Sequence, residues 1–501
     1  MNRQLPISLA VAFSTSLVLA ACGGGGGSST ASNGTNTSPA STQLLGTVQG
    51  LGSVVVNGVR MSTLGSTVTD EDGHTFPQSK LGLGQVVLVA GDTNADGLTG
   101  TATQINLIRE FSGPVQSVGA NTFSLLGQDF SVDTTTVFKT ESSSILGTLA
   151  QILAGDYVEV YAVRQADGLY VASLVEEQTG KASLESGIEG RGLVSNLDTT
   201  AKTFNIGDLT VNYANVMVQG TLANGVAVRF KATQDPVYAM NGTATIVANS
   251  VQVKGIQNKL NTRTDQVEVT GFVESDAGDQ NPATFTLAGL TIDVSAARYE
   301  GLTTLAVGNR VEVKGVLSSG VLMATKVETE EARESSRGGR YEFYGLAGNG
   351  AYSSGVNKLT FTIQGQAVEF SRAINQGTTN VCGISTTGST PYVEVKGVLN
   401  NGVIVASKVE CKSASMNDDD ENDGDDNDRD FSGNRFEMEG VVSNYNSAAR
   451  EFTLNGTRVS VQSTRFKDGN LSQLSNGDRV EVKGALDANQ VFQVSELEFE
   501  D

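Results

Sequence analysis

One short cassette, repeated, constrains this chain more than any other feature. Asp478-Arg479-Val480-Glu481-Val482-Lys483-Gly484 recurs upstream as Asn309-Arg310-Val311-Glu312-Val313-Lys314-Gly315 and as Tyr392-Val393-Glu394-Val395-Lys396-Gly397. Looser copies stand at Tyr157-Val158-Glu159-Val160-Tyr161, Val226-Ala227-Val228-Arg229-Phe230 and Gln85-Val86-Val87-Leu88-Val89. Strict alternation predicts a β-strand with Val480 and Val482 inward and Arg479, Glu481 and Lys483 outward. Exposed Glu–Lys pairs contribute only about 0–1 kcal/mol. Their recurrence therefore reads as the soluble face of a strand rather than as an active site. Gly484, Gly315 and Gly397 are expected to mark the bulge or bend where the strand passes into its hairpin.

Around each cassette the same order of strand signals returns. In the fourth copy Val267-Glu268-Val269 is followed by Phe285-Thr286-Leu287, then Leu290-Thr291-Ile292-Asp293-Val294, the cassette, and Ala324-Thr325-Lys326-Val327-Glu328. With 58 Gly, 7 Pro and no Trp, the chain reads as many short strands joined by turns. The fold class is all-β: a tandem array of about six small five- to six-stranded OB-like barrels joined by short linkers. The modules span residues 44–110, 111–180, 187–256, 265–330, 340–412 and 434–501, with an acidic linker at 413–433. Closing each sheet on itself removes the exposed edges that five short strands would otherwise leave.

The series Gly-x-Val, Phe-x-Leu/Ile, Val-Glu-Val-Lys-Gly and Ala-x-x-Val-Glu resembles the DUF5666 family of bacterial secreted and lipoprotein chains. The resemblance is close in modules four to six, fair in module two and loose in modules one and three, the third lacking the Glu and Lys of the cassette. That family has no agreed activity, so the resemblance implies a repeated fold and no chemistry.

The N-terminus reads as processing signal. Arg3 is followed by an apolar run from Ile7 to Leu19 and then by Ala20-Ala21-Cys22. The run is shorter than the roughly 20 residues a bilayer span needs. Residues 1–21 resemble a bacterial lipoprotein signal peptide, which implies lipidation of Cys22 and a lipid-anchored place in the cell envelope. Gly23 after that cysteine implies the outer membrane by the sorting rule for such proteins. An ordinary secretory signal is the alternative. Residues 22–43, rich in Gly, Ser and Thr, form a flexible tether.

The formal net charge of -21 disfavours nucleic acid, whose affinity rests on Lys and Arg. His74, in Asp70-Glu71-Asp72-Gly73-His74, is the single histidine, which leaves no multi-histidine zinc site or Ser-His-Asp triad within one chain. Catalytic residues are therefore not assigned. Asp92, Asn94 and Asp96, with Gly97, match the opening of a calcium loop, but Thr103 stands where the bidentate Glu belongs. A polar hairpin turn is preferred there, and calcium is the only cofactor candidate. The run Asn417 to Asp430 reads as an acidic spacer. Cys382 and Cys411 are predicted to pair after export, with free thiols as the alternative; such a bridge would stabilise its module by roughly 3–4 kcal/mol. The preferred function is a non-catalytic binding or scaffolding array whose partners are the membrane, through Cys22, and an envelope polymer or protein. A calcium-linked adhesive stalk is the alternative, and a carbohydrate-active enzyme a distant third.

Overall fold

The computed structural model describes residues 40–500 except 64, 141–144, 147, 167, 186, 240–242, 261–265, 277–282, 303, 330–340, 355–357, 372–380, 385–390, 412–435, 455–456, 468 and 487–491. The signal at 1–21, Cys22 and the linker at 413–433 lie outside the described residues.

Barrel 5 shows the construction most plainly. Its strands Tyr341–Ser353, Lys358–Ile363, Gln366–Ser371, Tyr392–Asn400 and Val403–Cys411 form a closed barrel. The first strand pairs antiparallel with the second, and the second with the third. The third runs parallel to the fifth, and the fifth returns through the fourth to the first. This ring is of OB type. Barrel 4 repeats it with Gln266–Asp276, Thr284–Leu287, Leu290–Asp293, Arg310–Ser318 and Val321–Thr329. Barrel 1 does so with Ala40–Gly50, Val54–Val56, Val59–Ser62, Val86–Thr93 and Thr99–Leu107. Barrel 2 uses Phe111–Val118, Thr122–Leu125, Gln128–Ser131, Tyr157–Arg164 and Tyr170–Gln178. In barrel 3 two strands are broken, the first into Ile188–Leu193 and Ser195–Asp198 and the fifth into Ala244–Val247 and Ser250–Val253, yet the same neighbours meet. Barrel 6 breaks its first strand into Phe436–Val441 and Ser443–Asn446 and again keeps the order.

The cassette glycines sit where the register of the fourth and fifth strands slips, after Lys314, Lys396 and Lys483. A Cβ on Gly315 would lie 2.2 Å from the carbonyl oxygen of Met323, which explains the missing side chain. The first strand of barrel 1 begins at Ala40, so residues 40–43, assigned above to the tether, are strand; Ala40 pairs with Thr93 and Gln43 with Ala90.

The barrels are not beads on a string. Thr42–Leu45 of barrel 1 pair in parallel with Gln266–Val269 of barrel 4. The first strands of barrels 2 and 3 pair at Ser112–Glu189 and Phe111–Gly190. Ser173 Oγ of barrel 2 donates to Gly84 O of barrel 1 at 2.6 Å, and Tyr344 N of barrel 5 donates to Leu51 O at 3.1 Å. Apolar packing joins barrels 1, 4 and 5 in one contiguous core and barrels 2 and 3 in another. Barrel 6 has a core of its own around Phe452, Val480, Val482 and Leu497.

Candidate functional site

The fold decides what the cassette charges do. The register sets each cassette lysine opposite a first-strand glutamate: Lys314 with Glu268, Lys396 with Glu342 and Lys483 with Glu437; in barrel 3, read above as lacking both cassette charges, Lys231 fills the lysine position opposite Glu189 and only the glutamate is missing. Lys314 Nζ lies 2.7 Å from Glu268 Oε2 and 3.4 Å from Glu312 Oε1. Lys396 Nζ repeats this at 3.2 Å from Glu342 Oε1 and 2.9 Å from Glu394 Oε1. On the other side each cassette glutamate faces a second one across the strands, as in Glu312–Glu328, Glu394–Glu410 and Glu159–Glu176. Like charges directly opposite are unfavourable. The lysines of the next rung offset them, Lys326 Nζ lying 2.9 Å from Glu328 Oε2.

This ladder points away from its own barrel, as the alternation predicts, but it is not solvated. Glu268 and Glu312 are 0% exposed, Glu394 4% and Glu159 1%. The outward-to-solvent reading of the cassette is thus corrected for barrels 2, 4 and 5, because a neighbouring barrel covers that face. Thr270, on the first strand of barrel 4, donates from Oγ1 to Asn57 Oδ1 of barrel 1 at 2.8 Å.

Barrel 3 departs from the ladder in an instructive way. Arg229 occupies the cassette glutamate position, opposite Arg191. The missing carboxylate arrives from barrel 1, whose short hairpin Thr67–Thr69 and Thr75–Phe76 carries Asp70 to His74 at its tip. Arg229 Nη1 and Nη2 donate to the two oxygens of Asp72 at 2.9 and 3.0 Å, and Nη2 also to Glu189 Oε2 at 2.5 Å. Lys231 joins Asp72, while Arg191 and Lys259 hold Glu71. Such a bidentate fork fixes orientation as well as charge. Asp70 Oδ1 accepts from the backbone of Asp72 and His74, both at 2.9 Å, and Oδ2 lies 2.7 Å from His74 Nδ1. Asp70, Asp72 and His74 bring potential metal-ligand atoms within 4.8 Å of one another. Their carboxylates are already engaged by backbone, Arg229 and Lys231, so the group works as a clasp between barrels.

A second ionic knot ties barrels 1 and 2. Arg109, with a side chain 5% exposed, lies 2.9 Å from Glu159 Oε2 and 2.7 Å from Glu185 Oε2, and Lys80 reaches Glu185. Burial raises Glu159 to about 7 against the pull of Arg109, and burial with Glu274 nearby raises Glu110 to about 8. Both start from 4.5, so the stability they contribute is full below that value and is lost as pH rises through 7 to 8. Asp72 acts in the opposite sense. Burial opposes its ionisation, but hydrogen bonds from Arg229 and Lys231 prevail and hold it well below 3.8, so its contribution is lost only in strong acid. The melting temperature is therefore expected to be higher near pH ~5 than near pH ~8, with a shallower slope in Glu110→Gln. Thermal melts across that window check it; a wild-type chain equally stable at both ends contradicts it.

Of the calcium candidates, Asp96 is engaged in its own turn. Its Oδ1 accepts from the backbone of Leu98 and Thr99 at 2.8 and 3.0 Å, and Oδ2 from Thr99 Oγ1 at 2.7 Å. Asn94 Nδ2 donates to Thr99 Oγ1 at 2.7 Å, and Asp92 lies on the exposed strand end opposite Thr101. The loop is a polar hairpin turn. Cys382 and Cys411 form a disulfide with a Cα–Cα distance of 5.3 Å. The spacer at 417–430 lies outside the described residues.

The inter-barrel role escaped the sequence reading, although a signal was present. In barrel 1 the cassette reads Val86-Val87-Leu88-Val89, continuously apolar where other copies alternate, and Leu88 is 2% exposed. A strand apolar on both faces is buried on both faces.

A different face is only partly covered. The second and third strands of barrels 2, 3 and 4 carry their core residues, such as Phe123, Phe204 and Phe285, on one side. On the other side the cross-strand partners are Ser124–Asp129, Thr203–Asn212, Asn205–Thr210, Thr284–Asp293 and Thr286–Thr291. The rungs continue onto the first strand, Ser117 Oγ lying 2.6 Å from Ser124 Oγ and Ser275 Oγ 2.6 Å from Thr286 Oγ1. These faces are rich in hydroxyl and amide groups, with two carboxylates, Asp129 and Asp293; Ser124 is buried, Asp129 and Thr291 are exposed and the others are half-buried.

Comparison with known proteins follows this architecture. The family described as "Domain of unknown function (DUF5666)" matches residues 46–106, 112–176, 270–328 and 439–498. Four of the six barrels match DUF5666. They are barrels 1, 2, 4 and 6; barrels 3 and 5 share the strand ring without matching the DUF5666 model. The ranking by resemblance is thereby revised, since barrel 1 is matched and barrel 5, despite its Val-Glu-Val-Lys-Gly cassette, is not. No curated protein matches the chain. Among solved structures it is similar to "drosophila Unr CSD456" at 12% identity, over 44% of this chain and 96% of that one, with a TM-score of 0.14. A likeness of that size carries no argument about function.

Proposed function

We propose that this chain is a non-catalytic envelope scaffold that presents the hydroxyl- and amide-lined faces of its barrels to a neutral polar polymer of the glycan class, held at the outer membrane by lipid on Cys22. The observation that carries the reading is the division of labour between faces. The charged ladder of the first and fourth strands is spent on packing barrels together, and the rungs of the second and third strands, hydroxyl and amide groups with Asp129 and Asp293 among them, lie on a less covered face. Strand geometry sets those groups about 5 Å apart across strands and about 7 Å apart along them, a regular lattice of donors and acceptors. The net charge of -21 disfavours a polyanion. Each face alone would bind weakly. Faces fixed on one packed body act together, and such linkage raises avidity by about 10²–10⁴-fold.

The test is retention of residues 40–501 on immobilised neutral and anionic polysaccharides, with a glycan array in parallel. Binding to a neutral polymer is expected, and Thr210→Lys with Thr291→Lys is expected to weaken it at least about tenfold at unchanged melting temperature. Retention on anionic polymers only, or indifference to those substitutions, would overturn the reading.

A further inference from the structure

Barrel 2 shows how one barrel of this kind receives another. On the hairpin of its fourth and fifth strands, Val163 and Val171 are cross-strand partners on the outer face, just beyond the bulge. Both are half-buried and line a small cleft with Phe272 and Arg310 of barrel 4. Val163 Cγ1 lies 3.8 Å from the place a Cβ on Gly271 would occupy, and Arg164 Nη1 is 3.8 Å from Glu274 Oε2. The receiving element is a glycine followed by a large apolar residue on a first strand, Gly271-Phe272.

Among the described residues, the same rung in barrels 4 and 5 is left exposed. Val316 and Met323 are partners there and are 44% and 40% exposed; Val398 and Val405 are partners and are 48% and 38% exposed. The barrel 5 hairpin is held at its tip, where Asn401 N donates to Thr134 O at 3.3 Å, which leaves that pair outward. A single exposed valine is ordinary. A cross-strand pair recurring at one register position, whose sister pair is packed against a neighbour, is a surface of known preference. The complementary half is also on this chain. Gly192-Leu193 on the first strand of barrel 3 stands in the register of Gly271-Phe272, Leu193 opposite Ala227 as Phe272 is opposite Arg310. Leu193 is 39% exposed.

We infer that the fourth–fifth strand hairpins of barrels 4 and 5 dock a second copy of this chain, through the Gly192-Leu193 edge of its barrel 3. The two surfaces differ, so the contact is head-to-tail and propagates into an open chain or a ring rather than closing as a two-fold dimer. Repetition of the scaffold along a surface follows from that geometry.

Sedimentation velocity and light scattering on residues 40–501 test this. The wild-type chain is expected to pass from monomer to larger species over about 1–100 µM, the range of a small interface. Combined Val316→Thr, Met323→Thr, Val398→Thr and Val405→Thr is expected to raise the apparent Kd at least about tenfold, and Leu193→Ser alone to do the same from the other surface. Melting curves establish that each variant is folded, and Leu193→Ser serves if the combined variant is not. A wild-type chain that stays monomeric throughout, including one whose hairpins instead serve another protein, overturns the inference, as do folded variants that associate like wild type.

Discussion

Replacing Arg229 with alanine is expected to cost about 3–5 kcal/mol, because it strands the buried Glu189, while Asp72, which reaches solvent, keeps only Lys231. Arg229 is 4% exposed and gives three of its N–H···O contacts to those two carboxylates. Lys231 remains, but it is engaged with Asp72 and lies 3.9 Å from Glu189 Oε2, so it does not replace the fork there. The loss should appear first as opening of the barrel 1–barrel 3 contact, with faster amide exchange at Asp72 and His74 than in the cores of either barrel. Adding Asp72→Asn should recover part of the loss, since it releases Lys231 toward Glu189, and the two substitutions should couple by about 0.5–3 kcal/mol in a double-mutant cycle. Denaturant titration of the four proteins measures this. An Arg229→Ala chain within about 1 kcal/mol of wild type, or strict additivity with Asp72→Asn, would show the clasp to be idle.

The second large effect concerns the position where barrel 1 breaks the pattern. Leu88 is paired with Leu45 as Glu312 is paired with Thr270, so it occupies the cassette glutamate position. Leu88→Glu would restore the alternation of its sister strands and make barrel 1 look more like the others in sequence. It is nevertheless expected to be among the most damaging single changes, by several kcal/mol. The rung that neutralises Glu312 in barrel 4 is absent here, since the positions of Glu268 and Lys314 are held by Gln43 and Ala90. A buried carboxylate at residue 88 would have no cation built to meet it. Equilibrium unfolding and soluble yield check the expectation. A Leu88→Glu chain as stable as wild type near neutral pH would mean that the outer face of barrel 1 is open to water in solution.

Much of the fold was legible because it is local. Alternation of Val480, Glu481 and Val482 specifies a strand with one core face, and the glycine after Lys483 marks the bulge that the strands then show. The number of modules follows from counting cassettes. The parallel pairing of third and fifth strands was not legible, since it joins segments separated by the whole fourth strand. The functional role of the cassette was misread for a related reason. A glutamate outside its own barrel has the same neighbours in sequence whether water or another barrel lies beyond it.

The sequence by itself therefore determined the repeat, the strand, the inward valines and the glycine bulge, all set by contacts within a few residues or within one small barrel. Only the tertiary structure decided which outward faces are interfaces. The side chain of Glu328 of barrel 4 is 7% exposed, whereas that of Glu410, at the same rung of barrel 5, is 37% exposed. The two stand in near-identical sequences, Thr325-Lys326-Val327-Glu328 and Ser407-Lys408-Val409-Glu410. A period of two tells inside from outside of one barrel; what covers the outside depends on where distant barrels come to rest.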